Sequence, residues 1–390
     1  MKESIDVLFE LLQVSLGVRD ELSRVPIPME WNRIRDFAYR QGLVGFLQEG
    51  IGRLPNDQRP PQMLMLQWIG ETLHGYEYRF DQYRKAIGEM AALYNAHGLK
   101  MMVLKGYACS LNWPRPNHRP CGDIDIWQFG RYREGDTLVA YKKGIEIDSS
   151  HHHHTVFYWG DFLVENHYDF VNVHAHRSSA EMEKVFKELG SETNIYELQN
   201  GEKSSKCRAN KNNNHNHNHN SVGISIQSVE VCGEKVYLPS PNLHALFLIK
   251  HMVSHFAAAE INLRQVLDWA FFVEKHRNEV DWKWLDSMLE RYSMKDFVNC
   301  INGICVEDLG FNADVFPEVK YASSLKDRIL MDILMPKYTS AEPKGKLHRL
   351  IYKYKRWQAN AWKQRLCYTE SRWEYFCSGI WAKMLKPTNQ

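Results

Sequence analysis

Two short motifs around residue 110 constrain this chain more than any other feature. Residues 104–107, LKGY, place a lysine and a glycine after an apolar run, and residues 122–126, GDIDI, alternate carboxylates with isoleucines. Side chains at i and i+2 of a β-strand emerge on the same face, so GDIDI predicts a strand that turns Asp123 and Asp125 out together and buries both isoleucines. Two carboxylates held this close repel each other unless a cation joins them, which indicates a divalent-metal site.

The lysine–glycine motif indicates what such a metal would accompany. A glycine between a strand and a helix lets backbone amides approach a phosphate, and the helix N-terminus adds partial positive charge. The candidate residues for binding nucleotide phosphates are Lys105, Gly106, Tyr107, Arg119 and Gly122. Each feature is common in isolation, and their order along the chain is what favours a functional site.

Length and composition set the limits for the whole chain. A chain of 390 residues predicts two or three domains. The net charge of +2, from 49 basic and 47 acidic residues, argues neither for nor against a nucleic-acid partner. The eight cysteines form no CxxC pair, which is typical of reduced thiols, and no apolar run reaches the length of a membrane span. With an amphipathic N-terminus in place of a signal peptide, the sequence predicts a cytoplasmic protein without a transmembrane segment.

The pattern of apolar residues divides the chain into a helical region 1–97, a core 98–240 and a helical region 241–390. The core predicts a mixture of helices and strands, and the fold class is therefore α+β. Its predicted elements are strands at 100–104 and 145–147, helices at 107–112, 136–142 and 179–189, and hairpins at 152–168 and 224–238. Residues 200–220 are almost entirely polar, and 212–220 consist only of Asn and His, which predicts a disordered insertion.

The order LKG, proline-rich loop, Arg119 and GDIDI resembles the nucleotidyltransferase superfamily typified by DNA polymerase beta. More narrowly, the chain is similar to the bacterial family catalogued as uncharacterised nucleotidyltransferases. The similarity extends over most of the chain, although only the core motif is specific. It implies a small mixed-sheet nucleotidyltransferase core flanked by N- and C-terminal helical regions.

The family's pattern adds a third carboxylate on a neighbouring strand, written Glu-x-His followed by an aromatic residue. Residues 164–168, VENHY, match it with Glu165, and a tyrosine stands in place of the usual tryptophan. A rival alignment on Asn172, followed by His174 and His176, would put a neutral amide in the third position. We favour Glu165, because an amide is a poor substitute for a metal-bound base.

The resemblance implies transfer of a nucleoside monophosphate from an NTP co-substrate to an acceptor, with release of pyrophosphate. Asp123, Asp125 and Glu165 are the predicted catalytic and metal-binding residues, and they would hold two Mg²⁺ or Mn²⁺ ions. The acceptor stays open among a small molecule, a sugar, a protein and an RNA end, as does the identity of the NTP.

Two other classes of function remain open. One is a non-catalytic nucleotide-binding module, which Asn172 in the third position would favour. The other is a metalloprotein in which the histidine run 151–154 and the pair His174 and His176 bind zinc. In a strand, His152 and His154 would share one face beside Glu165, although a polar strand is the simpler interpretation. For the Asn/His repeat, a disordered linker is favoured over metal chelation.

Three patterns in the C-terminal region have competing interpretations. His244, His251 and His255 are spaced seven and four residues apart, which favours one helical face lining a cleft or packing on the core. Arg264 and Asp268 are spaced as an i,i+4 pair, although Arg264 could instead reach the nucleotide. Residues 346–365 mix basic and aromatic side chains, which predicts a solvated helix, with a nucleic-acid or membrane surface as the alternative.

Overall fold

The computed structural model describes residues 2–174, 176–196, 221–317, 320–341, 343–371 and 374. Within them the fold is a six-stranded mixed sheet flanked by helices, which confirms the predicted fold class. The predicted disordered insertion at 200–220 lies outside the described residues. No helix in the described part of the chain is long and apolar enough to cross a membrane.

The N-terminal region is helical, as predicted. Its helices are α1 (Lys2–Leu16), α2 (Pro28–Gln41), α3 (Val44–Arg53), α4 (Gln62–Glu71) and α5 (Arg79–Asn95). A π-helical turn, Thr72–Tyr78, joins α4 to α5, so one continuous helical segment runs from Gln62 to Asn95. Gly98, with φ of 69°, follows its end.

The sheet orders its strands β3-β4-β2-β1-β6-β5. The strands are β1 (Met102–Val103), β2 (Ile124–Trp127), β3 (His154–Trp159), β4 (Phe162–His167), β5 (Gln227–Val231) and β6 (Glu234–Leu238). The pairs β2–β4 and β1–β6 are parallel, and the others are antiparallel. Both predicted hairpins are confirmed, and the second turns at Cys232 and Gly233, which both adopt positive φ.

The prediction of a strand at 145–147 is wrong. The chain there makes one isolated bridge, between Asp148 and Val156 of β3, and no continuous ladder. The second hairpin also starts later than predicted, because residues 221–224 are helical.

The remaining helices surround the sheet and fill the C-terminal region. They are α6 (Tyr107–Ser110), α7 (Tyr132–Lys143), α8 (Arg177–Leu189), α9 (Ser221–Ile224), α10 (Pro241–Ala258), α11 (Leu263–His276), α12 (Trp282–Arg291), α13 (Lys295–Gly303), α14 (Ser323–Leu334), α15 (Lys346–Ala359) and α16 (Ala361–Cys367). Leucines 347 and 350 of α15 are exposed, which fits the solvated helix predicted at 346–365. The helix ends at Ala359, however, and the following α16 is packed on the domain with Lys363 buried, so the prediction is wrong for the second part of that segment.

The sheet is covered on both faces, and each face belongs to a different apolar cluster. On one face, Tyr83 and Tyr94 of α5 pack with the two isoleucines of GDIDI, which are fully buried as predicted. The other cluster joins Trp127 of β2 to residues of the N-terminal helices, α10 and α11. The predicted boundaries at 97 and 240 stay a prediction, and this second core draws on all three regions.

Candidate active site

Two of the predicted carboxylates meet across neighbouring strands. β2 and β4 run parallel, and their register sets Asp125 opposite Glu165. Asp125 is 4% exposed, while Glu165 is half-buried. One ligand atom from each of Asp125, Glu165 and His167 lies within 4.8 Å of the others. Asn172, the rival for the third position, lies beyond the end of β4 and accepts a hydrogen bond from the His174 amide.

Asp123 reaches the same cavity from the residue before β2. Its side chain is exposed there, and its backbone carbonyl accepts a hydrogen bond of 2.9 Å from Tyr83. Partial loss of solvation, with repulsion from Glu165 and Asp125, raises the pKa of its carboxyl. Among the described residues, its carboxylate stands outside the group that lies within 4.8 Å. The predicted trio is therefore a close pair with a third acid on the same cavity.

Lys105, which the sequence predicts to bind phosphate, lies against the carboxylate pair of Asp125 and Glu165. Its Nζ is 2.7 Å from Asp125 Oδ1. Burial would raise the pKa of Asp125, but the Lys105 ammonium and the hydrogen bond with His167 hold that pKa well below its usual range. Burial likewise works against the charge of Lys105, and the carboxylates of Asp125 and Glu165 still raise its pKa. Both partners are therefore charged at neutral pH.

Gly106 forms the bend that brings Lys105 to this position. Its backbone has φ of 53° and ψ of −95°, and a Cβ there would collide with the hydroxyl of Tyr83. Gly122 also lines the cavity. Tyr107 does not face it: the ring is 5% exposed and stacks on Phe80, with the ring centroids 6.1 Å apart.

Arg119 is held by a carboxylate of the C-terminal region. Its Nε and Nη2 donate to the two oxygens of Asp268 at 2.7 and 2.9 Å, and Trp113 donates to the same carboxylate at 2.8 Å. The i,i+4 pair predicted between Arg264 and Asp268 is therefore replaced by this bidentate pair. Arg264 lines the cavity instead, and within the described chain its buried Nε has no hydrogen-bond partner.

The histidines are arranged differently from the predicted strand alternation. β3 begins at His154, so His152 lies off the strand and contacts His174, with ring centroids 5.8 Å apart. His153 and His154 instead approach His167. Burial and the neighbouring His167 lower the pKa of His153 to about 2, and burial lowers that of His154 to about 4.

His167 is buried between the carboxylate pair and the backbone. Its Nε2 lies 3.2 Å from Asp125 Oδ1 and 3.5 Å from Glu165 Oε2. Burial opposes protonation of the ring, but hydrogen bonds with these two carboxylates raise its pKa. Its other nitrogen, Nδ1, lies 3.2 Å from the carbonyl of Asp169, which can only accept.

The three acids, Lys105, Arg264 and the histidines 153, 154 and 167 all line one cavity of about 1460 Å³. The predicted face of α10 divides: His251 and His255 line the cavity, while His244 is buried against Cys109, with Nε2 3.7 Å from Sγ. Sequence reasoning missed several cationic side chains in its wall, namely Arg33, Arg40 and Lys250. The spacing of seven residues between the two arginines, which puts them on one face of α2, was an available signal.

The site combines paired carboxylates with a cationic wall. Oxygen ligands of this kind suit Mg²⁺ or Mn²⁺, and the surrounding lysine and arginine side chains suit a polyphosphate. The fold and the site together define a candidate phosphoryl- or nucleotidyl-group transferase.

Comparison with known proteins narrows the class. Residues 28–201 and 209–310 match the model of a family described as uncharacterised nucleotidyltransferases. The match covers more than half of the chain, and the chain belongs to this family, as the motif resemblance predicts. The chain is also similar to the crystal structure of an antigenic nucleotidyltransferase-like protein from Paracoccidioides brasiliensis, with 12% identity and a TM-score of 0.31 over 53% of this chain and 87% of that chain. No curated protein matches the chain.

Proposed function

We propose that the protein transfers a nucleoside monophosphate from an NTP to an acceptor hydroxyl and releases pyrophosphate. Family membership supports nucleotidyl transfer. The observation that carries the proposal is the pairing of Asp125 with Glu165 across β2 and β4, beside the Lys105–Gly106 bend. It supplies acid side chains and a lysine at one point of a cavity large enough for a nucleotide.

The carboxylates fit a divalent ion. Asp125 and Glu165 offer oxygens within 4.8 Å of one another, and Asp123 adds a third acid at the same cavity. Hard oxygen ligands are those that Mg²⁺ and Mn²⁺ prefer. When bound, such ions would neutralise the phosphates and lower the pKa of the attacking hydroxyl.

The chain's own groups would orient and move the reactants. Lys105 would leave Asp125 for a phosphate oxygen, and Arg264 would contact the phosphates in place of Arg119, which Asp268 already holds. The acceptor oxygen attacks the α-phosphorus, the bond to the bridging oxygen breaks, and pyrophosphate departs. Glu165 accepts the hydroxyl proton, since it is the less buried member of the carboxylate pair.

A position for Glu165 beside Asp125 counts against a non-catalytic module. That alternative drew its support from a neutral amide in the third position, and Asn172 does not occupy it.

The test is label transfer from each NTP to cell extract in the presence of Mg²⁺ or Mn²⁺. Label at the α-phosphate should reach an acceptor, while label at the γ-phosphate should not. Asp125→Asn and Glu165→Gln should each reduce transfer by about 10²–10⁴-fold. Asp161→Asn is the matched control, because this exposed aspartate lies in the same hairpin as Glu165. Equal transfer by the wild type and both site variants would exclude the proposal, as would transfer from the γ-label alone.

A further inference from the structure

We propose that His153, His154 and His167 form a binding site for a transition-metal ion, Zn²⁺, next to the carboxylate pair. One ligand atom from each imidazole lies within 4.8 Å of the other two. The ring centroids of His153 and His154 are 4.3 Å apart, and those of His154 and His167 are 5.2 Å apart. All three residues line the cavity. The site goes beyond the proposed transfer reaction and does not depend on it.

The backbone holds these three rings together. His154 and His167 are directly opposite each other across the antiparallel pair β3–β4, where facing side chains are neighbours. His153 immediately precedes β3, and its carbonyl accepts hydrogen bonds from the amides of Tyr168 and Asp169 at 3.0 and 3.1 Å. The arrangement is therefore set by the hairpin register and not by a mobile surface loop.

Nε2 of His167 is the nitrogen that would bind a metal, in place of its hydrogen bond with the carboxylates. Its Nδ1 must donate to the carbonyl of Asp169, so in the neutral ring the lone pair is on Nε2. That nitrogen faces the oxygens of Asp125 and Glu165 at 3.2 and 3.5 Å. Two electron-rich partners can share this space only if a proton or a metal cation lies between them. A backbone carbonyl behind a ligating histidine is the usual support of metal sites.

The other two histidines carry unpartnered buried atoms. Nδ1 of His153 and Nδ1 of His154 are both inaccessible and have no hydrogen-bond partner in the described chain. His154 is 6% exposed, so water does not reach its ring freely. Buried polar atoms are nearly always satisfied in folded proteins, and two unpartnered nitrogens beside a third imidazole support a ligand that all three rings share.

The chemistry of these ligands selects the ion. Mg²⁺ prefers oxygen, whereas imidazole nitrogen suits Zn²⁺ and its neighbours in the first transition row. Three protein ligands with a fourth position open to a cavity are typical of zinc sites that bind an exchangeable molecule, in contrast to the closed four-ligand sites that stabilise folds. Glu165 lies beside these histidines, with Oε2 3.8 Å from His154 Nδ1.

The test uses the full chain with the competing Asn/His repeat neutralised. The background variant carries His215→Asn, His217→Asn and His219→Asn, because the repeat could bind metal on its own. After removal of metals by a chelator, titration calorimetry with Zn²⁺ alone should give one ion per chain. Co²⁺ in its place should give the intense visible bands of a tetrahedral site.

Removing a ligand should weaken Zn²⁺ binding at least tenfold and abolish the Co²⁺ bands. His153→Ala and His154→Gln are the informative variants, and His152→Ala is the matched control that should bind like the background. Circular dichroism and the melting temperature of the metal-free variants establish that they fold, and the half-buried His153 tolerates truncation best.

Three results would overturn the site. They are no stoichiometric Zn²⁺ binding in the background variant, unchanged binding in His153→Ala and His154→Gln, and binding that is lost in Asp125→Asn but kept in His153→Ala. None of them touches the transfer reaction, which depends on the label experiment. If the protein bound Zn²⁺ as expected but showed no Mg²⁺-dependent transfer, only the proposed function would be refuted, and the zinc site would stand.

Discussion

Replacing Gly106 with alanine tests whether the bend before α6 exists to make room for Tyr83. An added Cβ would overlap the Tyr83 hydroxyl and lie 3.2 Å from its Cζ. Tyr83 is fully buried, and its hydroxyl donates to the Asp123 carbonyl at 2.9 Å. The ring therefore cannot move away without breaking the hydrogen bond that holds Asp123 at the cavity.

The expected loss of stability in Gly106→Ala is the sum of two separate costs. Overpacking a rigid interior costs about 1–3 kcal/mol. The backbone at φ of 53° and ψ of −95° is strained for any residue with a Cβ, which adds about 1–3 kcal/mol. Gly106→Ala should therefore lower the free energy of unfolding by about 2–6 kcal/mol. Tyr83→Phe alone should cost about 1 kcal/mol, because one hydrogen bond is lost.

The double variant Gly106→Ala/Tyr83→Phe separates these two costs. Removal of the hydroxyl relieves the overlap but leaves the backbone strain, so the double variant should be about 1–3 kcal/mol more stable than the sum of the single variants predicts. Urea unfolding followed by tryptophan fluorescence measures all three. Gly98→Ala is the matched control: its φ is 69°, nothing lies within 4 Å of its added Cβ, and it reports backbone strain alone. The argument would be refuted if the stability losses of the two single variants simply added in the double variant. It would also be refuted if Gly106→Ala lowered the free energy of unfolding no more than Gly98→Ala.

Two further predictions concern buried charges. Burial lowers the pKa of Lys250 to about 8, so between pH 8 and about 10.4 the unfolded chain binds more protons than the folded one, and stability rises with pH across that window. Urea unfolding should therefore show Lys250→Met to be more stable than the wild type by about 3 kcal/mol at pH 7, and this difference should shrink towards pH 10. A variant that is less stable than the wild type at pH 7 contradicts the prediction. Asp268→Asn should cost about 3–5 kcal/mol, because it leaves the buried guanidinium of Arg119 without its counter-charge. Asp286→Asn, at an exposed ion pair, is its control, and equal losses in the same assay would disprove the assignment.

Local patterns in the sequence were enough to predict the elements that carry the site. Alternation in GDIDI gave the buried isoleucines of β2, and the glycines at 160 and 233 marked both hairpin turns. The pairing of Asp125 with Glu165 required the family pattern as well, because parallel strands are joined by a long crossover that no local spacing describes.

Predictions failed where residues distant in sequence compete for one partner. The spacing of Arg264 and Asp268 is right for a helical pair, but Arg119 offers two parallel donors from 149 residues away and takes the carboxylate. The prediction that His152 and His154 share one strand face failed because it depended on where the strand begins. Because β3 begins only at His154, alternation could not be applied to His152.

The C-terminal helices complete the site and do not merely support it. Asp268 of α11 fixes both Trp113 and Arg119, which lie in the loop that delivers Asp123, and α10 contributes His251 and His255 to the cavity wall. An isolated core of residues 98–240 would retain the GDIDI motif but lose the partner that orders its loop. The extent of the family match agrees with this argument, since its second segment, 209–310, contains both helices. The candidate site is therefore built from the sheet together with α10 and α11, and changes at Asp268 should act on the carboxylates through the loop.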